Sequence, residues 1–244
     1  MTYIHSFSFV LHIIFGAAAL MLFWVPVFTK KGQLNHRRFG HFYKTAMYGT
    51  AATGVLMASL VLAAPLVIKH EYANAENAAS AAAYFRYLSV FLLYLALLTF
   101  TTTRHGIAVL RYKAQHSVLR RYSYIMPIWL LAIGGVGMIA LGIFRESTLY
   151  IVFGVLGCII AVTMLRYCYA KTVAANQWIF EHIGSIIGSG IGAYTAFLTF
   201  GARTFFSDLG QWQLVFWIAP GVVGGLASYL VCKKYAALFT VQEA

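Results

Sequence analysis

Seven long apolar runs separated by short polar gaps organise the chain, at residues 7–28, 42–68, 84–103, 124–144, 149–169, 178–200 and 214–232. A helix rises about 1.5 Å per residue, so a hydrocarbon layer about 30 Å thick asks for about 20 apolar residues in succession, which each run supplies. The runs are continuous, without the alternation of apolar and polar positions that barrel strands show, which excludes a membrane β-barrel. The pattern predicts an all-α membrane protein, a seven-transmembrane-helix bundle forming a single domain over residues 1–244.

The gaps give the bundle a direction. Lys30, Lys31, Arg37, Arg38 and Lys44 flank the first gap; Arg104, Arg111, Lys113, Arg120 and Arg121 the third; Arg166 and Lys171 the fifth; Lys233 and Lys234 follow the last run. Of the 18 Lys and Arg residues, only Lys69, Arg86, Arg145 and Arg203 lie in the opposite gaps, together with Glu71, Glu76, Glu146 and Asp208. The positive-inside rule therefore predicts an N-terminus outside and a C-terminus in the cytoplasm. Two gaps are long enough for structure of their own. In 104–122, Ile107, Leu110, Ala114 and Val118 recur at helical spacing among basic residues and predict a stretch lying in the cytoplasmic interface. The Ala- and Asn-rich stretch 71–83 reads either as a helical extension or as a cap.

Composition agrees with this placement. At 61% hydrophobic and 10% charged residues, the chain cannot cover a water-facing surface with polar groups. The net charge of +12 is first a topology signal. Contact with anionic lipid headgroups is its expected second use, with Arg37, Arg38, Arg120 and Arg121 as interface candidates; no nucleic-acid-binding domain is present to use it otherwise. Met1 to His5 lacks a basic n-region, and the first run continues past Gly16 to Ala19, so the first helix is expected to be a retained span. Cys158, Cys168 and Cys232 fall within the spans or at cytoplasmic helix ends, away from the outer side where disulfides persist.

Ionisable side chains inside a bilayer are costly and are functional candidates by default. Eight histidines stand out, in two tiers. His36, His41, His105, His116 and His182 fall near the cytoplasmic face, whereas His5, His12 and His70 belong to the outer half. At helical rise, His12 lies roughly 25 Å from the cytoplasmic end of its run, too far to share a ligand with His182. Imidazoles on facing helices can ligate haem b, and His12, His41, His105 and His182 are the candidate ligands. Gly134, Gly135 and Gly137, with Gly184, Gly188 and Gly192, would let a flat macrocycle approach the backbone. Against this stands the absence of two widely spaced histidines on one span, and the ordinary use of helix-end histidines in bonding carbonyls or headgroups.

The sixth run carries a second constellation. Gly184, Gly188 and Gly192 form a small-residue stripe suited to close helix contact, within this chain or with a membrane partner. Glu181 points along the same face with His182 one step round; an acid beside an imidazole at a water boundary can relay protons. Glu181 could equally complement the helix dipole and pair with Arg104 or Arg166. In the seventh run Pro220-Gly221 could break the helix and expose carbonyls to a cation, or simply kink it. No zincin, di-iron, nucleophile-elbow, P-loop or dinucleotide signature occurs, and the last run lacks the lysine of a retinal protein, so enzyme activity is left open.

The segment His36-Arg37-Arg38-Phe39-Gly40-His41-Phe42-Tyr43, after a first run with an early His, Gly and Ala, resembles a family of bacterial multi-pass membrane proteins classed as a domain of unknown function. His116 to Arg121 and His182 to Ser185 are compatible with it. The resemblance implies a bacterial inner membrane and no particular activity. Physically, Arg37 and Arg38 would clamp lipid phosphate or helix-end carbonyls, and Gly40 would permit a tight re-entry into the membrane. Three functions follow as expectations: a redox role through haem b or a metal, proton-coupled or small-solute transport around Glu181, His182, Pro220 and Gly221, and a subunit role through the glycine stripe.

Overall fold

The computed structural model describes residues 1–113, 115–201 and 213–242, and every regular element among them is helical. The helices are α1 (Thr2–Phe28), α2 (Leu34–Ala63), the single turn α3 (Pro65–Ile68), α4 (Ala78–Tyr112), α5 (Tyr122–Phe144), α6 (Thr148–Tyr169), α7 (Gln177–Ala196) and α8 (Gln213–Gln242). All except α3 are long and apolar enough to cross a membrane, α7 with the π-helical turn Phe197–Gly201 that extends it. The chain is thus a multi-pass helical membrane protein. Arg203 and Asp208 of the outer gap, and Ala114 of the third gap, lie outside the described residues.

Helices overrun the apolar runs wherever the flanking sequence can propagate them. α2 starts at Leu34, so the basic segment from His36 to Tyr43 forms its first turns. The chain reverses instead at Gly32, whose φ of 77° lies in the left-handed region that glycine tolerates. Gly40, expected at the re-entry, is an ordinary helical residue. α4 is 35 residues long, or about 52 Å at helical rise, and exceeds the hydrocarbon layer at both ends. Its start absorbs part of the alanine-rich outer stretch, alanine being the best helix former. Its end absorbs the first half of 104–122, which is therefore no separate interfacial helix. α4 stops at Lys113, where φ turns to 44°, and a 3-10 turn (His116–Arg120) leads into α5. Proline breaks the second run before Pro65, after Ala63, whereas α8 continues through Pro220 without interruption.

α4 is the hub, packing against α2, α5 and α7; α1 packs on α2, α6 on α5 and α8 on α7. One core joins Phe91, Tyr94 and Leu98 of α4 to Ile128, Leu131 and Met138 of α5 and Ala161 and Met164 of α6. A smaller one holds Ala19 of α1 against Tyr43, Ala46 and Met47 of α2, with Ile186 and Ala193 of α7 beside it. In lipid these contacts stabilise through dispersion and fit, because the competing solvent is as apolar as the side chains. The large apolar side chains left exposed, such as Phe7, Ile14 and Met21 on α1 and Val222, Val223 and Leu226 on α8, suit contact with acyl chains.

Glycines set the closest approaches, but not those of the expected stripe. A Cβ at Gly135 would lie 2.8 Å from the Gly154 carbonyl, and one at Gly154 would lie 2.7 Å from the Gly135 carbonyl, so α5 and α6 touch backbone to backbone. The ring of Tyr94 fills the space at Gly134, so neither Gly134 nor Gly135 admits a macrocycle. Gly184 and Gly188 meet nothing within 4 Å and Gly192 only Thr99 at 3.8 Å. Among the described residues the stripe therefore makes no close helix contact. α7 instead approaches its neighbours at Gly190, against Phe23, and through Gly106 of α4.

Candidate functional site

One end of the bundle collects the C-terminal ends of α1, α4, α6 and α8 with the starts of α2, α5 and α7, and with them most of the basic residues. Gly106, in the last turns of α4, has no side chain to hold α7 away. A Cβ there would come within 2.9 Å of Ile186 and 3.2 Å of Ser185. This approach places the first turns of α7 alongside the last turns of α4. His182 Nδ1–H donates to the Gly106 carbonyl at 2.8 Å, and Glu181, about 100° round the helix, reaches His105.

His105 is 1% exposed and has both ring nitrogens occupied. Its Nε2 lies 3.3 Å from Glu181 Oε2 and its Nδ1 lies 2.6 Å from the Tyr124 hydroxyl. A carboxylate only accepts, so Nε2–H donates to Glu181, and Nδ1 of the neutral ring accepts from the Tyr124 O–H. The array runs Tyr124–His105–Glu181 across α5, α4 and α7. Gln177 Nε2 donates to the other carboxylate oxygen at 3.4 Å, and the Tyr167 ring stands edge-on to His105 with centroids 5.9 Å apart. Glu181 thus meets His105 and Gln177. Arg104 is engaged elsewhere, on the Ser123 carbonyl and over the Tyr124 ring.

The Glu181 side chain is 13% exposed, and the exposed part lines a pocket of about 380 Å³ bordered by Thr163, Arg166 and Tyr167 of α6, Thr172 of the following loop and Gln177. On the inner side, Thr101 lies one helical turn from His105 on the same face of α4. Its hydroxyl and that of Thr103 are buried, with no hydrogen-bond partner among the described residues. A carboxylate at a pocket wall, an imidazole behind it and a hydroxyl behind that make a chain able to take up and hold one proton. Adding a proton gives imidazolium beside carboxylate in exchange with neutral imidazole beside carboxylic acid; in the imidazolium form Tyr124 changes from donor to acceptor towards Nδ1.

A second, purely basic group lies nearby. Lys31 donates to the carbonyls of Pro26 and Val27 at 2.7 and 2.6 Å, and His36 Nδ1–H donates to Pro26 at 3.1 Å, so both cap the C-terminus of α1. The His36 and His182 rings are 6.5 Å apart. Burial holds the Lys31 ammonium below its ordinary range, and the charge of Lys234 acts in the same direction.

The remaining candidates are scattered. His12 Nδ1 is 3.0 Å from Thr53 Oγ1, whose hydroxyl donates to the Gly49 carbonyl, so His12 ties α1 to α2. His41 is exposed. Arg37, Arg38, Arg120 and Arg121 are exposed, and Arg120 also donates to the carbonyls of Cys168 and Ala170 at the end of α6. Pro220 and Gly221 belong to the part of α8 that precedes Gly224. Gly224 packs on Ile187 and Ile191 of α7, so Pro220 and Gly221 lie well along the bundle from Glu181. The four haem candidates do not converge on one site: His105 has both ring nitrogens engaged, His182 holds the Gly106 carbonyl through Nδ1, His12 meets Thr53 between α1 and α2, and His41 is exposed. Among the described residues no group of three or more His, Cys, Asp or Glu is arranged to hold a metal ion.

The contribution of Tyr124, Gly106 and Gln177 is not signalled by sequence spacing. The nearest hint is Gly106 itself, a glycine directly beside a membrane-end histidine. Compared with known protein families, curated proteins and solved structures, the chain shows no match. The described residues form a multi-pass helical membrane protein with seven helices long and apolar enough to span a bilayer, and any function has to be argued from its site.

Proposed function

We propose that the chain is a proton-coupled membrane carrier for a small solute, with His105 and Glu181 as its proton-loading groups and the basic end facing the cytoplasm. The observation that carries this reading is the buried His105 held between the Tyr124 hydroxyl and the Glu181 carboxylate, with that carboxylate reaching an open pocket. Intramembrane acids and histidines in contact are the usual material of proton relays in transporters. The pocket falls within the range of small-ligand sites, about 300 to 1,000 Å³. The cytoplasmic placement of the basic end rests on the positive-inside rule, and a bacterial inner membrane on the resemblance at His36 to Tyr43. A redox role through haem b would require His105 to give up one of its two hydrogen bonds, and proton transfer uses both as they stand.

Proteoliposomes loaded with a pH-sensitive dye test the proposal. With a panel of small acids, amines and neutral solutes outside, the reading expects solute-dependent proton movement that Glu181→Gln reduces by roughly tenfold or more, the loss that general acid–base groups typically cause. Wild-type liposomes inert to every solute, or a Glu181→Gln protein with full coupled flux, would overturn it.

A further inference from the structure

The pocket beside Glu181 contains a cation with no acid assigned to it. Arg166, in the last turn of α6, lines the same pocket wall, and among the described residues no carboxylate lies within salt-bridge distance of its guanidinium. Glu181 is the acid nearest to hand in the fold, and it is turned to His105 and Gln177. Arg120, on the neighbouring turn, is consumed by the carbonyls of Cys168 and Ala170, and Lys113 lies over the Trp178 ring at 5.0 Å. Arg166 is the basic side chain among the residues that line the pocket. A guanidinium presents a planar fork of donors matched to the two oxygens of a carboxylate or phosphate.

We infer that Arg166 is an oxyanion-recognition group, and that the pocket between α6 and α7 takes a small molecule or headgroup bearing a carboxylate or phosphate. This inference rests on the proton-coupled reading for its pH dependence, though not for the site itself. Charge bookkeeping links the two. With the array unprotonated, Arg166 and Glu181 cancel, and an incoming anion meets a pocket of no net charge. One proton on the Tyr124–His105–Glu181 array leaves the guanidinium uncancelled, and the anion is attracted. Anion and proton therefore bind together, and affinity falls as pH rises.

The groups that face this array from every packed element are few. They are His105 and Arg104 on α4, Tyr124 on α5, Arg166, Tyr167 and Cys168 on α6, and His182 on α7, with Arg120 on the intervening turn. Beyond His182 stand His36 of α2 and Lys31 of the first turn. The carboxylate among them is Glu181, so the sign of the effect is set there.

The test uses the full-length protein in phosphatidylcholine nanodiscs. Inorganic phosphate and lactate are titrated separately in mildly acidic and mildly alkaline buffer, with wild type, Arg166→Gln, Arg166→Lys and Glu181→Gln. A parallel arm dopes the nanodiscs with phosphatidylglycerol and reads lipid retention by native mass spectrometry. The inference expects wild type to bind one of these oxyanions more tightly in acid, Arg166→Gln to weaken binding roughly tenfold or more, and Arg166→Lys to recover part of it. Arg166-dependent retention of phosphatidylglycerol without binding of the soluble anions assigns the oxyanion to a headgroup and supports the site. Arg166-dependent binding that is equal in both buffers and indifferent to Glu181→Gln keeps the oxyanion site and overturns proton coupling. Absence of binding in both arms, or binding unchanged in Arg166→Gln, overturns the inference. Arg166 is exposed, so its replacements leave the packed bundle intact.

Discussion

His105 Nε2 on α4 and Glu181 Oε2 on α7 lie 3.3 Å apart although 76 residues separate them in the chain. The pair exists because Gly106 lets α7 come close, and it is completed by Tyr124 on the far side of the imidazole. Each part of that arrangement has a measurable consequence.

Tyr124→Phe removes the hydroxyl from His105 Nδ1 while keeping the ring. The buried nitrogen is left without its partner, so thermal unfolding in detergent should show a loss of about 1 to 3 kcal/mol. Coupled proton flux should fall with it. An unchanged unfolding temperature together with unchanged flux would remove Tyr124 from the array.

Gly106→Ala places a methyl group against Ile186 and Ser185. The α4 and α7 backbones must separate or Ile186 must change rotamer, at a cost of about 1 to 3 kcal/mol typical of overpacking. Because the His105–Glu181 distance depends on this approach, flux should drop more than stability does. Trimming Ile186 to Val in the same chain should recover part of both, which parallel flux and unfolding measurements would reveal.

The glycines divide into two groups with opposite expectations. Gly135→Ala and Gly154→Ala drive a Cβ into the opposing carbonyl, and each should destabilise the α5–α6 contact by about 1 to 3 kcal/mol. Gly184→Ala and Gly188→Ala meet nothing within 4 Å and should be neutral, or stabilising by up to about 1 kcal/mol through helix propensity. Unfolding curves for the four single variants decide it; a penalty at Gly184 or Gly188 in the purified chain would show that the stripe is covered after all.

How much of this was legible in the sequence follows from the range of the interactions involved. The seven spans are local: twenty apolar residues in succession declare a membrane helix without reference to any neighbour. Helix ends are less local, and α2 and α4 overran their apolar runs because Leu34 to Phe42 and Ala78 to Ala83 can propagate a helix once the span nucleates it. Helix partners are not local at all. The regular spacing of Gly184, Gly188 and Gly192 predicts a contact that the described residues do not make, while the approach of α7 to α4 rests on the single Gly106. Glu181 is chemically notable in the sequence, where the neighbouring imidazole is His182; helical rotation sends His182 to a backbone carbonyl and leaves Glu181 for His105.

The central claim is that Glu181 takes part in an exchangeable proton site reachable from the pocket. A hydrophobic carbodiimide, which modifies carboxyl groups in their protonated form, tests it when the adduct is located by peptide mass spectrometry across a pH series. The account predicts modification at Glu181 that declines as pH rises, is enhanced when Tyr124→Phe or His105→Asn weakens the array, and is absent from Glu181→Gln, with the exposed Glu71 and Glu146 reporting reagent access to the surface. A Glu181 that stays unmodified at every pH and in every variant, while other carboxyl groups react, would contradict it.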